Sequence, residues 1–236
     1  MRTDGGGDVT ADELAELVSD SPRLFHMAEI GAWPTIRRHG LLSPRASLDL
    51  FGVTGEARAA ALRRRPEGVA LEQADLGRIV LRDQKPLSDR ALLRCLGDGL
   101  TPEDWHARLN ARVFLWLDRR RVLTLLAGRA YRADAHEILE IATAPFVAAY
   151  RDRIELSPIN SGATGQFPAP RGRDTFLPID AYPYARYRGR RRGERAVELT
   201  VPGSVPDLAR FVTRVVVMRG EAEIETLFAA DPDGAA

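Results

Sequence analysis

The distribution of apolar residues along the 236-residue chain predicts short strands separated by helices and loops. Strands are expected where apolar residues run together or alternate, over residues 23–27, 112–117, 136–143, 153–156, 196–201 and 210–218. Residues 136–143 (HEILEIAT) alternate with period two, which is typical of a strand buried on one face. Because strands and helices follow one another without a regular β–α–β repeat, the pattern predicts an α+β domain.

Helix boundaries are marked by capping residues and by proline or glycine. Thr10, with Glu13 three residues later, predicts a helix that runs through Val18. A second helix is expected to begin at Trp33-Pro34 and to end at Gly40. Further helices are predicted at 118–127, near 205–209 and at 221–228, and residues 47–105 are mostly helical in pattern.

These elements suggest one domain with two unusual segments. Residues 1–10 contain three consecutive glycines and predict a disordered tail, whereas residues 11–230 are expected to form the single domain. Within it we expect a helical insertion over 47–105. Residues 157–195 hold many prolines and glycines and no periodic run, so they predict a long loop for a ligand or an acceptor.

Composition narrows the class of protein. The 34 basic and 33 acidic residues nearly cancel, and 44% of residues are hydrophobic, as in ordinary globular proteins. There is no signal-peptide pattern and no run of about 18 apolar residues, so we expect a cytoplasmic protein without membrane contact. The lone Cys95 excludes a disulfide framework. Lys85 is the only lysine, so clustered arginines are weak indicators of phosphate binding in this chain.

The sequence contains no phosphate-binding glycine loop, zinc-protease motif or hydrolase nucleophile motif. The residues that could carry chemistry are instead scattered along the chain. The histidines lack metal-ligand spacing, so no metal is expected. Three features could be functional or merely structural. His26 could be a site residue or a core histidine, and Trp116 a stacking surface or a core aromatic residue. The loop 155–165 could bind a ligand or be an ordinary turn. The turn at 82–84 could reach a ligand or be purely structural. Glu198 lies between apolar neighbours, where a carboxylate is costly unless it is paired or lies at a cleft or on a solvent face.

Three segments together resemble the ADP-ribosyltransferase superfamily, and within it the DarT-like DNA ADP-ribosyltransferases or an uncharacterised bacterial relative of them. LFHMAEIGAWPTIRRHGLLS is similar to the opening signature of that family, and AVELTVPGSVPDLARFVTRVVV to its closing signature. RVFLWLDRR stands where the family has an aromatic strand and a basic helix start. The resemblance covers roughly residues 23–46, 110–126 and 194–219. It departs from the family at Ala28, where Thr is common, and at Phe114 and Trp116, where Tyr and Phe are usual.

The resemblance implies a split mixed β-sheet and NAD as the substrate. Glu198 would stabilise the oxocarbenium-like transition state and could deprotonate the incoming nucleophile. His26 would hold a ribose and the nicotinamide amide. The remaining contacts to NAD would come from Phe114 or Trp116 against the nicotinamide and from Arg119 at the pyrophosphate. The loop chemistry adds Asn160 and Thr164 as further candidate contacts.

The segment that precedes Glu198 is expected to bind the molecule that accepts ADP-ribose. Aromatic residues interleaved with arginines can stack bases and neutralise phosphates. These residues are Tyr187, Arg188, Arg190, Arg191 and Arg192. We therefore expect transfer to a nucleic-acid base, such as one in single-stranded DNA, by a monomeric enzyme of toxin or defence type that an antitoxin could oppose. An NAD glycohydrolase, a non-catalytic binding module and a merely solvated basic loop remain alternatives.

Overall fold

The computed structural model describes residues 10–231, and its central feature is an eight-stranded sheet. The strands occur in the order β12-β11-β6-β1-β5-β9-β7-β8, and every neighbouring pair is antiparallel. Their bounds are β1 Arg23–Glu29, β5 Arg112–Trp116, β6 Ala135–Ala142, β7 Glu155–Ser157, β8 Leu177–Pro178, β9 Glu198–Pro202, β11 Val212–Arg219 and β12 Ala222–Ala229. The α+β class is confirmed, but the expectation of a mixed sheet is wrong. The expected tail over residues 1–10 lies outside the described residues except for Thr10.

Two small antiparallel pairs accompany the large sheet. The first joins β2 (Leu41–Leu42) to β10 (Ser204–Val205), and the second is a hairpin of β3 (Val69–Gln73) and β4 (Gly77–Leu81). The helices are α1 Ala11–Asp20, α2 Trp33–His39, α3 Pro44–Leu50, α4 Gly55–Leu62, α5 Asp89–Leu92, α6 Pro102–Asn110, α7 Arg119–Ala127 and α8 Thr143–Tyr150. The insertion at 47–105 is therefore not purely helical, because the β3–β4 hairpin lies inside it.

The large sheet has a hydrophobic core on each face. Leu24 of β1 belongs to the larger core, together with buried residues of α1, α2 and α8, whereas its neighbour Phe25 packs with Val122 and Leu126 of α7. The same alternation along β6 buries both of its faces. The prediction of a half-buried strand at 136–143 is therefore wrong in burial although right in position.

The sheet is nearly divided between β1 and β5. β1 pairs with β6 along its whole length, but it pairs with β5 only at Phe25 opposite Trp116. β5 in turn pairs with β9 from Arg112 to Trp116. The two halves of the sheet thus share one backbone pair, and beyond it β1 and β5 diverge. This divergence creates the space that holds the candidate site.

Two of the predicted helices are replaced by strands and turns. Residues 222–229 form β12 instead of a closing helix, since Gly220 (φ +56°) makes a tight turn that returns the chain along β11. Hydrogen bonds to the open edge of β11 outweigh the helix preference of Ala and Glu here. Near 205–209 the chain forms β10 and a short 3-10 turn, Leu208–Arg210. Helix α8 went unpredicted because its uniformly apolar sequence has no helical period.

Residues 157–195 contain more order than their composition suggests. The segment holds the two-residue β8 and three 3-10 turns, at Arg173–Thr175, Ile179–Ala181 and Tyr184–Tyr187. Tyr182 and Tyr184 are buried in the larger core, where their hydroxyls reach the Arg195 carbonyl and Asp20. The loop is therefore packed against the domain through its tyrosines. The part nearest β7 contributes Asn160, Gly162 and Ala163 to the space between β1 and β5.

Gly40 is essential to the junction between α2 and β2, and its substitution tests the fold. It ends α2 at φ +77°, and a Cβ there would overlap the Val205 carbonyl and Pro206. We expect Gly40→Ala to lower the free energy of unfolding by about 3 kcal/mol or more, measured by urea denaturation. Gly52→Ala is the control, because Gly52 has φ +64° but open space at the Cβ position, so only about 1 kcal/mol of backbone strain is expected. Equal losses in the two variants would contradict the proposed overlap.

Candidate functional site

A cavity of about 300 Å³ opens where β1 and β5 diverge. Its size falls at the lower end of the range for small-molecule sites, and its lining is mostly apolar with a few polar groups, as such sites usually are. Five residues proposed from the sequence line it: His26, Phe114, Trp116, Asn160 and Glu198. Although His26 and Glu198 are far apart in the sequence, the strand order brings both to one cavity.

His26 bridges the gap between the two halves of the sheet. Its Nδ1 lies 3.0 Å from the Phe114 carbonyl oxygen on β5. A carbonyl only accepts hydrogen bonds, so Nδ1 carries the proton and Nε2 is the acceptor. Burial, with a smaller contribution from the charge of Arg82, lowers the pKa of His26 to about 4 although the hydrogen bond to Phe114 opposes the shift, so the ring is neutral at pH 7. His26 thus satisfies a carbonyl, as a core histidine would, while it also offers an acceptor nitrogen at the cavity.

Glu198 is a buried carboxylate at the cavity wall. Its Oε2 accepts the Ser161 backbone N–H at 3.1 Å, and no other hydrogen bond to it occurs among residues 10–231. Burial raises its pKa to about 7, although Ser161, Arg121 and Arg171 partly oppose that shift. A carboxyl poised between its two protonation states at neutral pH is typical of a functional site rather than of a solvent-facing edge strand.

The register of the sheet places an aromatic ring beside this carboxylate. Glu198 of β9 lies directly opposite Trp116 of β5 and opposite Ser157 of β7. Directly opposed residues project from the same face of a sheet, so Trp116 and Glu198 are side-by-side neighbours. Phe114, two residues before Trp116, also lines the cavity and packs edge-on against Phe176. Both aromatic residues are only half buried, which leaves ring surface for a ligand.

Arg171 holds the loop that delivers Ser161 to Glu198. Its buried guanidinium donates to the carbonyls of Ser161, Ala163 and Ala169 and stacks on Trp105. The Ser161 hydroxyl is itself buried and has no hydrogen-bond partner in the part of the chain that the structure describes. It lies close enough to the carboxylate of Glu198 to lower the pKa of that group.

Two residues proposed as NAD contacts lie elsewhere. Arg119 is exposed at the start of α7 and does not line the cavity. Thr164 is buried, but its hydroxyl accepts the Ser88 N–H and donates to the Pro86 carbonyl, so it joins two parts of the chain. The cavity instead receives Gly162 and Ala163 from the same loop.

The proposed nucleic-acid segment is largely bound to the domain. Arg188 pairs with Glu13 and Glu16, and Arg192 with Asp20, all on α1. Arg191 pairs with Glu194 and lies 3.9 Å from Asp118, whereas Arg190 donates to the Pro158 carbonyl and stacks over Tyr187. Most of these cations thus have internal acidic partners, which reduces the charge available to a phosphate backbone.

Several residues of the site could not be identified from the sequence. The β3–β4 hairpin contributes one wall of the cavity together with the turn at 82–84, for which the sequence left a ligand contact and a purely structural role open, so the insertion is part of the site. Glu137 of β6, which is buried, does not line the cavity but accepts the N–H groups of Gly31 and Trp33 at 2.7 Å and so holds the turn that precedes α2. No local pattern marks it, because a glutamate in an alternating strand indicates solvent exposure.

Comparison with known proteins places the chain in a family without a known activity. Residues 22–212 match a family described as a family of unknown function (DUF7002). The chain belongs to this family. The match spans β1 to the start of β11, so it includes the strands that carry His26 and Glu198. No curated protein matches the chain.

Two further findings concern the described residues. None of their helices is long and apolar enough to cross a membrane. No cluster of three or more His, Cys, Asp or Glu side chains that could hold a metal ion occurs between residues 10 and 231.

The burial of Glu198 predicts a pH-dependent effect on stability that can be tested without a substrate. Because its pKa rises from 4.5 to about 7 on folding, ionisation destabilises the folded protein as pH rises through this interval. Glu198→Gln removes the charge, so its stability relative to the wild type should increase from pH 4.5 to 7 and level off above, by up to about 3 kcal/mol.

Thermal denaturation across pH 4.5–8.5 measures this difference. Glu225→Gln is the matched control, since Glu225 lies on the exposed strand β12 and its substitution removes no buried charge. A difference between Glu198→Gln and the wild type that does not vary with pH would contradict the burial of an ionisable Glu198.

Proposed function

We propose that the chain has an ADP-ribosyltransferase-like fold and is an NAD-dependent ADP-ribosyltransferase that transfers ADP-ribose to a nucleic-acid base. One observation carries the proposal: His26 and Glu198, 172 positions apart, line a single cavity at the division of the sheet. The aromatic neighbours Phe114 and Trp116 add ring surface of the kind that a nicotinamide would pack against. The resemblance at both ends of the chain supplies the reaction class.

Glu198 would act on the ribose from which nicotinamide leaves. The C1′–N1 bond of NAD breaks, its electron pair neutralises the pyridinium ring, and the ribose becomes oxocarbenium-like. A buried carboxylate that accepts a hydrogen bond from the 2′-hydroxyl stabilises that cation more than the ground state. The incoming nucleophile then bonds to C1′ and loses its proton, which ionised Glu198 can accept.

His26 would bind and orient the dinucleotide. Its neutral ring presents Nε2 as an acceptor, which suits a ribose hydroxyl or the amide N–H of nicotinamide. The bond from Nδ1 to Phe114 fixes the ring and its tautomer before the ligand arrives. Such pre-organisation reduces the entropic cost of reaching the reactive geometry. On this reading His26 positions NAD and takes no part in proton transfer.

The aromatic and basic segment that leads into β9 is proposed to bind the nucleic acid that accepts ADP-ribose. Arg186 and Arg190 are exposed and have no carboxylate partner within the described chain, and Arg190 stacks on Tyr187, an arrangement that can extend onto a base. The ion pairs of Arg188 and Arg192 with α1 favour a second candidate, an NAD glycohydrolase that uses water. The two activities differ only in what attacks C1′.

Incubation of the protein with NAD and a single-stranded oligonucleotide tests the proposal. We expect free nicotinamide and an oligonucleotide whose mass has increased by one ADP-ribose, measured by chromatography and mass spectrometry. Glu198→Gln should lower the rate of nicotinamide release at least about 100-fold, since it loses the anionic stabilisation of the cation. Glu225→Gln should match the wild type. Nicotinamide without an adduct would indicate the hydrolase, and the absence of both products would contradict enzymatic activity.

The rate of nicotinamide release should also depend on pH in a defined direction. Only ionised Glu198 can stabilise the cation, and burial holds the pKa of Glu198 at about 7. We therefore expect kcat/KM for NAD to fall about tenfold per pH unit below 7 and to reach a plateau above it. The pKa of His26, about 4, puts its titration below this range. A rate that is flat from pH 5 to 8 would contradict the role of Glu198.

A further inference from the structure

Arg65 is a buried cation that forms no ion pair in the part of the chain that the structure describes. Its side chain is only 5% exposed, and it lies in the wall of the cavity. Nε donates to the Arg82 carbonyl at 2.9 Å, and Nη1 donates to the Ala61 carbonyl at 2.7 Å and to Asn110 Oδ1 at 2.8 Å. All three acceptors are neutral, and among residues 10–231 no carboxylate lies within ion-pair distance. Nη2 donates to none of these groups.

Such an arrangement is costly unless something else supplies the negative charge. A buried charge is usually paired, because the interior does not solvate it as water does. Burial lowers the pKa of Arg65 to about 10, so the side chain still carries its charge at pH 7. Three hydrogen bonds fix the guanidinium in place, which is the usual way to position an arginine for an anionic ligand.

Arg82 is a second cation on the same wall that forms no ion pair among residues 10–231. Its Nε is buried without a hydrogen-bond partner within the described chain, and its guanidinium lies over the Tyr131 ring, 5.2 Å from the centroid. Its backbone is tied to Arg65 through the bond to Nε of that residue. Its charge is also close enough to His26 to lower the pKa of the imidazole.

One acidic group acts on Arg65 from a distance: the charge of Asp83 raises the pKa of Arg65 and so partly opposes the effect of burial. Asp83 lines the cavity, but its Oδ1 accepts the Tyr131 hydroxyl at 2.6 Å and the Lys85 backbone N–H at 3.0 Å. Arg78 lines the same wall and makes no ion pair with any described residue. Of the residues of the insertion that line the cavity, three are arginines and one is a carboxylate. The wall that the insertion contributes therefore carries an excess of positive charge.

We propose that Arg65 and Arg82 form an anion subsite that binds the phosphate groups of a nucleotide in this cavity. Guanidinium groups bind phosphate oxygens through paired, charge-assisted hydrogen bonds. Arg82 and His26 line the same cavity, so an anion bound by Arg82 would share that space with the group proposed to hold a ribose, as a ribose diphosphate requires. Naming NAD as the nucleotide rests on the proposed function, whereas binding of a nucleotide phosphate does not. The role expected of Arg119 falls instead to the insertion.

Calorimetric titration with ADP and with adenosine tests the subsite in the absence of catalysis. The wild type should bind ADP at least about tenfold more tightly than adenosine, a difference of about 1.4 kcal/mol, because adenosine lacks the phosphates that accept charge-assisted hydrogen bonds. Arg82→Gln should abolish most of that difference and leave adenosine binding unchanged. Arg82 is the main test, since its side chain makes none of the hydrogen bonds that hold Arg65. Arg65→Lys keeps the charge but loses the planar guanidinium that the three hydrogen bonds hold in place, so it should reduce ADP affinity in part.

Arg64→Gln is the matched control. Arg64 is the neighbour of Arg65 and also donates through Nε to a backbone carbonyl, that of Leu87, but it does not line the cavity. Its substitution should leave the ratio of ADP to adenosine affinity unchanged. Equal affinity of the wild type for the two ligands, or an equal loss in Arg64→Gln and Arg82→Gln, would overturn the subsite.

The result separates the subsite from the proposed function. If ADP binds through Arg82 but the protein releases no nicotinamide from NAD, the subsite stands and the transferase proposal fails. If nicotinamide is released and depends on Glu198 while Arg82→Gln binds ADP as the wild type does, the subsite fails and the transferase proposal stands.

Discussion

The single backbone pair between β1 and β5 is the constraint on which the site depends. Beyond Phe25 and Trp116 the two strands diverge, so groups that would normally bond across the sheet need other partners. His26 supplies one of them by donating to the Phe114 carbonyl. The same side chain therefore compensates for the open sheet and presents a nitrogen to the space that the opening creates. A fully paired sheet would have no room for a ligand between these strands.

The cavity walls hold polar groups that the folded chain itself leaves incompletely satisfied. Glu198 is buried with one hydrogen bond, and Arg65 has no carboxylate within ion-pair distance among the described residues. Each of these groups costs stability unless a ligand completes it, and such costs concentrate where a protein binds or reacts. The two come from β9 and from the insertion, so parts of the chain that are distant in sequence converge on one space.

The sequence predicts those features whose causes are local. Thr10 caps α1 because its side-chain oxygen accepts the Glu13 N–H, and Gly40 ends α2 with its backbone N–H on the Ile36 carbonyl. The apolar runs around His26 and Glu198 give the positions of their strands. Features that depend on distant partners were missed. β12 has a helix-like composition and becomes a strand only because β11 offers an edge. Arg65 could not be distinguished from other arginines in a chain with one lysine. What sets it apart is that it is buried without an ion pair to any described residue, and the sequence does not show this.

The structure of the protein crystallised with NAD is the most direct test of the central claim, that the opening between β1 and β5 binds the dinucleotide. The account predicts that the nicotinamide-bearing ribose lies between His26 and Glu198, with a ring of the ligand against Trp116. A dinucleotide bound outside this cavity, or one whose ribose does not approach the carboxylate of Glu198, would contradict it.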